Sequence, residues 1–447
     1  MFHALLFLVF SASVQATTLP PAPTPADFHA TDPADVEVGQ LLFFDRILSG
    51  NRNISCATCH HPGLNTSDGL SLGIGEGGMG LGPARTPGSG ADRIKKRVPR
   101  NSQALFNLGA RELHTMFHDG RLSESDLYGN GFNSPAEEWL PGGLDNLLAA
   151  QALFPLVAQF EMAGNLKENE VIGAVHDRID AAWPIIAARV AAIPAYAEHF
   201  IEHKAHISTP GDITIVDIAN ALSAFINATW QRIDTPFDRH LRGDSDAMSP
   251  VQLRGMSLFY GKANCASCHS GMWLSDQEFH ALGLPAFGPG RTRRFNLLAR
   301  DLGRLAETDD IEDAYAFRTP MLRNVALTAP YGHNGAWPTL DGIIRQHLDP
   351  AGMRAKWTRD DANLIDVPWL APVDFIIQSD RIEMARQAAA VPAPGPALTD
   401  DEIASLVAFM HALTDDQKDP DAIVPDAVPS GLPVDRMQQN LTRLTLP

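Results

Sequence analysis

Cys56-Ala57-Thr58-Cys59-His60 is repeated in kind, much later in the chain, as Cys265-Ala266-Ser267-Cys268-His269. Each stretch reads C-x-x-C-H, the attachment motif of a c-type haem. Two thiols add across the haem vinyl groups, and the adjacent histidine becomes the proximal iron ligand. The chain has four cysteines, and the two motifs use all of them. A four-cysteine zinc site or a redox dithiol would account for the cysteines but not for a histidine directly after each pair. Two covalently bound c-type haems are therefore expected, on Cys56, Cys59 and His60 and on Cys265, Cys268 and His269.

The 447 residues leave room for a core around each cofactor. A formal net charge of −18 argues against nucleic acid or an anionic membrane as partner. It suits a basic redox partner, although a solvated acidic surface accounts for most of it. Met1 to Ala16 reads as a secretory signal, with an apolar run from Ala4 to Phe10 and Val14-Gln15-Ala16 as its cleavage site, though without Lys or Arg at its start. The run is shorter than the roughly 20 residues of a membrane span, and no later stretch is apolar enough for one. Export to the periplasm is expected, because bacterial c-type haem attachment takes place outside the cytoplasm.

Residues 17–35, rich in Pro, Thr and Ala, read as a disordered linker. An N-terminal haem domain over 36–235, a C-terminal one over 236–420 and a loose or surface-wrapping tail over 421–447 follow. The division falls where Pro, Asp and Gly cluster between Thr235 and Pro250. An internal repeat supports it: Gly39-Gln40-Leu41-Leu42-Phe43-Phe44 precedes the first motif, and Gly255-Met256-Ser257-Leu258-Phe259-Tyr260 precedes the second. Each unit closes with an amphipathic helix, carried by Ile215, Ile218, Leu222 and Ile226 in one and by Ile403, Leu406, Val407 and Met410 in the other. Thr399 and Glu402 form a capping box for the latter.

Two loop-rich stretches lie between these landmarks. Gly73 to Pro87 is dominated by glycine, which points to close backbone approach to a haem edge rather than a phosphate cradle. Arg93, Lys95, Lys96, Arg97 and Arg100 make the next stretch basic; it reads as a solvated loop, with docking of an acidic partner as the competing role.

With both motifs placed, the flanking residues resemble the bacterial dihaem cytochrome c peroxidase and MauG superfamily over nearly all of the mature chain. Leu41-Leu42-Phe43-Phe44-Asp45, Phe117-His118-Asp119-Gly120-Arg121 and, most specifically, the stretch from Thr319 to Gly335 carry the resemblance. It implies a mainly α fold of two cytochrome c-like haem domains with long loops. It further implies that the haem on His60 reacts with H2O2 and that the haem on His269 relays electrons. It implies one Ca²⁺ between the domains, with Asn101 and the backbone at Thr328 and Pro330 at the matching positions; oxygen donors of this type suit that ion.

Three positions depart from the peroxidase pattern. Glu76 stands where peroxidases place a histidine that caps the peroxidatic iron, so this site is expected to be open without reductive activation. His118 stands at the position of the inter-haem tryptophan. His347, on an expected helix from Leu340 to Leu348, stands where peroxidases place methionine and MauG places tyrosine as distal ligand of the second haem. A bis-histidine haem has a lower potential than a His/Met haem. Met321 and Met353 are the competing donors. His114, His176, His199, His203, His206 and His280 are read as structural or solvated.

Cleavage of a peroxide O–O bond needs a group that moves a proton from the inner to the outer oxygen. Glu161, in Phe160-Glu161-Met162 after an apolar run, aligns with the family's distal glutamate, with Glu76 as the second candidate. The resemblance thus implies an H2O2-dependent dihaem oxidoreductase of MauG-like type, acting on a protein or redox partner. Its rivals are an ordinary cytochrome c peroxidase with a small redox-protein donor and a non-catalytic dihaem electron carrier.

Overall fold

The computed structural model describes residues 19–292, 298–415 and 420–437. The Met1–Ala16 signal lies outside them. The fold is mainly helical, with two hydrophobic cores. Six helices frame it: α1 (Pro33–Phe44), α2 (Leu147–Val157), α3 (Ile215–Thr229), α4 (Pro250–Tyr260), α5 (Leu340–Leu348) and α6 (Asp400–Ala412).

Each core is built on one helix pair, α1 on α3 and α4 on α6. The glycine of each repeat sets the approach. A Cβ on Gly39 would sit 2.0 Å from the Ala221 carbonyl oxygen, and one on Gly255 would sit 1.9 Å from that of Ser405. One turn further along, the same pairing recurs as ring contacts: Phe43 meets Phe225 at 5.3 Å and Phe259 meets Phe409 at 5.2 Å. All four phenylalanines are buried. Aromatic pairs in this geometry contribute about 0.5–1.5 kcal/mol beyond the area they bury. The two halves therefore share one construction, as the sequence repeat implies.

Helix ends are set by the side chains at their caps. Asp32 accepts from Ala34 N at 3.0 Å ahead of Pro33 in α1. Thr214 with Asp217 opens α3, and Thr399 with Glu402 opens α6, each as a capping box. Strands are few and short. Thr115–Met116, Leu122–Glu124 and Phe132–Asn133 form one antiparallel sheet, and Phe279–His280 pairs with Phe317–Arg318 in another.

The described part of the expected disordered linker, from Leu19 on, is instead folded. Phe28 is 2% exposed and packs edge-on to Trp273 at 5.3 Å, and Arg242 donates to the Pro23 carbonyl. Its few apolar side chains find cover between the two halves, which composition does not reveal. The basic stretch is a solvated loop only in part, since Lys95 is exposed whereas Arg97 and Arg100 are buried. Arg97 forms a buried two-point pair with Asp374 at 2.9 Å, Arg100 pairs with Asp119 and Asp301, and Arg93 stacks on Trp369. It staples the first half to the second.

After α6 the chain returns to the first half. Ser430 Oγ donates to Asp45 at 2.6 Å, and Asp435 accepts from Thr58 at 2.6 Å and pairs with Arg46. The tail thus wraps the loop carrying the first C-x-x-C-H motif. Among the described residues no helix is long and apolar enough to cross a membrane.

Candidate active site

The first motif sits on a single helical turn, Cys56–Cys59, with Ser55 and Thr58 forming its capping box. His60 follows as the C-cap, and its Nδ1 lies 2.9 Å from the Thr66 carbonyl oxygen. A bond donated there leaves the Nε2 lone pair for a metal. Burial lowers the His60 pKa and pushes the Cys56 and Cys59 thiols up to about 12. A four-cysteine zinc site would need the sulfurs of both pairs on one ion. The two cysteine pairs belong to different cores, so they do not converge on one ion.

The second motif repeats the device. His269 Nδ1 lies 3.0 Å from the Leu274 carbonyl oxygen. Opposite it, on α5, His347 Nδ1 lies 2.8 Å from the Ile343 carbonyl oxygen one turn back. The two ring centroids are 6.3 Å apart. Two imidazoles bound to one metal at about 2 Å per bond place their centroids at about this separation. Burial lowers both pKa values, that of His269 to about 4. These residues line a cavity of about 480 Å³ together with Cys265, Cys268, Phe259, Leu340, Ile344 and Met410. Paired Nε2 atoms, two thiols and an apolar wall fit a haem. Met321 also lines the cavity, whereas Met353 packs with the small cluster around Leu72 and Trp337.

Glu161 lies in a π-type turn, Gln159–Ala163, directly after α2. The Ala158 carbonyl accepts from the amides of Glu161, Met162 and Ala163, each at 3.1 Å. Such turns recur at functional sites. Burial lifts the Glu161 carboxyl above the ordinary range, with Arg121 and Arg291 pulling the other way.

The glycine-rich loop presses on this turn. A Cβ on Gly75 would lie 2.2 Å from the Phe160 carbonyl oxygen and 2.8 Å from Glu161 Cα. Among the described residues this close approach is to protein backbone. Arg85 holds the loop from behind, donating to the carbonyls of Ile74, Gly75 and Gly80 at 2.6–2.9 Å. Glu76 is 6% exposed, and its Oε1 accepts from Asn51 at 2.8 Å and Asn53 at 2.7 Å. Its other oxygen, Oε2, is buried without a partner among the described residues.

Between the halves, His118 Nε2 lies 3.2 Å from the Asn101 carbonyl oxygen, and burial pushes its pKa down to about 4. The His118 carbonyl accepts from Arg318 N at 2.8 Å, and Asn101 N donates to the His333 carbonyl at 2.9 Å. His333, buried and with its pKa pushed down to about 3, stacks on Phe317 at 3.5 Å. Asn101, Thr328 and Pro330 all line the same cavity as His118. Asn101 Nδ2 donates to the Leu70 carbonyl at 2.8 Å, which turns its amide oxygen the other way.

Two groups escaped the sequence. Asp119, wholly buried, receives Arg100 at 2.7 Å, Arg291 at 3.0 Å and Arg121 at 3.2 Å. Only the Phe117-His118-Asp119-Gly120-Arg121 stretch hinted at it, because two of its three cationic partners, Arg100 and Arg291, lie outside that stretch. Arg85, the clamp of the glycine loop, stands in no motif that would mark it.

The model for di-haem cytochrome c peroxidases matches residues 33–246. The methylamine utilization protein MauG of Methylorubrum extorquens is 30% identical over 318 residues, which cover 71% of this chain and 69% of that one. The cytochrome-c peroxidase IdrP1 of Denitromonas iodatirespirans is 31% identical over 346 residues, covering 73% and 75%. Among solved structures, the diheme peroxidase BthA of Burkholderia thailandensis superposes with a TM-score of 0.55 at 22% identity, over 86% of this chain and 87% of that one. Fold and motifs define a two-haem c-type oxidoreductase. The chain belongs to the di-haem cytochrome c peroxidase and MauG family.

Proposed function

We propose that this protein is a periplasmic enzyme that uses hydrogen peroxide at the haem of His60 to oxidise a partner protein, in the manner of MauG. The observation that carries the proposal is the pairing of His269 and His347 at 6.3 Å, set against a glycine-rich loop in which Glu76, tied to Asn51 and Asn53, stands where peroxidases place a capping histidine. When bound, the His60 haem supplies the iron at which peroxide is cleaved, and the second haem exchanges electrons with it. The chain's own residues do the rest. His60, fixed by Thr66, presents Nε2. Glu161 takes the proton of the inner peroxide oxygen on its carboxylate and returns it to the departing outer oxygen. Glu76, bonded to Asn51 and Asn53 and flanked by the Arg85-clamped backbone, holds the loop above this site in one place.

Similarity to MauG supports oxidation of a protein, and similarity to IdrP1 supports an ordinary peroxidase with a small redox donor. The bis-imidazole second site favours the former, since a low potential lets that haem share an oxidising equivalent with the first. His118 fills the space between the sites without an indole, and neutral at about pKa 4 it carries no charge there at neutral pH. Asn101 with the carbonyls of Thr328 and Pro330 would give Ca²⁺ three neutral oxygens, the remaining positions falling to water. Leader removal from Met1–Ala16 would accompany export.

The test is turnover with peroxide. Covalent oxidation of tryptophan or tyrosine in an added protein, seen by mass spectrometry, supports the proposal. Turnover confined to re-oxidation of a reduced small cytochrome or copper protein assigns the chain to the detoxifying peroxidases instead.

A further inference from the structure

In the cavity that holds His269 and His347, Tyr315 lines the wall together with Arg300, Arg354 and Gln387. Its hydroxyl donates to Glu383 Oε1 at 2.8 Å. Glu383 is fully buried, and its carboxylate also receives Arg300 Nη1 at 2.9 Å and Gln387 Nε2 at 3.2 Å. A buried carboxylate in this position holds the phenol by its proton.

The backbone at Tyr315 is unusual. Its φ is +60°, a left-handed conformation that a bulky side chain adopts only when its surroundings impose it. Tyr315 N donates to the Leu302 carbonyl at 3.0 Å and keeps it there. Glycine would take this conformation with less strain, yet a phenol is held between cavity and surface. The ring is only half-buried, and Ile311 and Ile382, close to Tyr315 and Glu383 in sequence, are 71% and 68% exposed. Tyr331 lines the same cavity but is buried, and among the described residues its hydroxyl has no carboxylate partner.

We propose that Tyr315, with Glu383 as its proton acceptor, is where an oxidising equivalent leaves the second haem pocket for a protein partner. This rests on the peroxide chemistry proposed above, with hydrogen peroxide as the oxidant. Tyr315 gives one electron to the peroxide-oxidised haem pair. Its phenolic O–H bond breaks as a new O–H bond forms on Glu383, leaving a neutral phenoxyl. One electron from the partner then fills the phenoxyl, and the proton returns from Glu383. Two such cycles match the two electrons of one peroxide.

Freeze-quench EPR on the ferric holoprotein after one equivalent of hydrogen peroxide tests this, with natural and with ring-deuterated tyrosine and the optical spectrum recorded alongside. The expected result is a radical that narrows on deuteration and is lost in Tyr315→Phe, while the haem bands respond to peroxide as in the parent protein. Glu383→Gln, which keeps a hydrogen-bond acceptor but takes up no proton, also loses the radical. The inference is overturned if the haem bands respond and no tyrosine radical forms, or if the radical persists in Tyr315→Phe. Haem bands indifferent to peroxide overturn the peroxide chemistry itself, and this inference with it.

Discussion

The imidazoles of His269 and His347 face each other with centroids 6.3 Å apart, each with Nδ1 held at a backbone carbonyl of its own segment. The pairing brings a loop after α4 against a helix some eighty residues later, and the bis-imidazole second site proposed above rests on it.

Replacing His347 separates this site from a His/Met one. His347→Met is expected to raise the potential of the second haem, and His347→Ala to convert it from low spin to high spin. Redox titration with EPR checks both. An unchanged low-spin signal in His347→Ala would show that Met321 or another donor is the ligand.

Glu161→Gln removes the proton acceptor while keeping the shape of the side chain. The rate with peroxide is expected to fall about 10²–10⁴-fold, with the resting haem spectra unaltered. Because burial raises the Glu161 carboxyl, the base form is lost at a higher pH than for an ordinary glutamate. The parent rate should therefore fall on acidification from above the usual carboxylate range, and the variant rate should not show that step. Stopped-flow pH profiles of the two proteins decide it.

Asp119→Asn leaves three guanidinium groups around a neutral amide. Loss of one partner from a buried ionic cluster costs about 3–5 kcal/mol. Burial alone would raise the Asp119 pKa, but Arg100, Arg121 and Arg291 hold it well below the usual range. A depressed folded-state pKa gives stability that is present above the unfolded value, about 3.9, and lost as pH falls below it. Urea unfolding at neutral and acid pH should show a gap between parent and variant that narrows below about pH 4.

Gly39→Ala and Gly255→Ala each drive a methyl into a facing helix backbone. Each is expected to cost about 1–3 kcal/mol, as overpacking does. Since the two sites lie in different cores, the double variant should show the sum. Thermal unfolding of the four proteins tests this.

How much of this the sequence disclosed follows from the range of the forces involved. The haem motifs are local, as is the cap at Thr399, and all are found where the residues place them. The helix Leu340–Leu348 stands where it was expected, capped by Thr339, but His347 was singled out only through the resemblance to the family. Residues 19–33 and Arg93–Arg100 misled for the opposite reason. Pro-rich and basic composition describes a segment in isolation, whereas Phe28 is fixed by Trp273 and Arg97 by Asp374, both more than two hundred residues away. The Tyr315–Glu383 bond was invisible on the same ground.

The central claim is an open first haem beside a bis-imidazole second one, both reached by peroxide. EPR and optical spectra of the resting ferric protein, before and after stoichiometric hydrogen peroxide, test it most directly. One high-spin and one low-spin haem, both changing without prior reduction, is the predicted result. Two low-spin haems that stay inert to peroxide in the ferric and the half-reduced state would contradict it and leave an electron carrier.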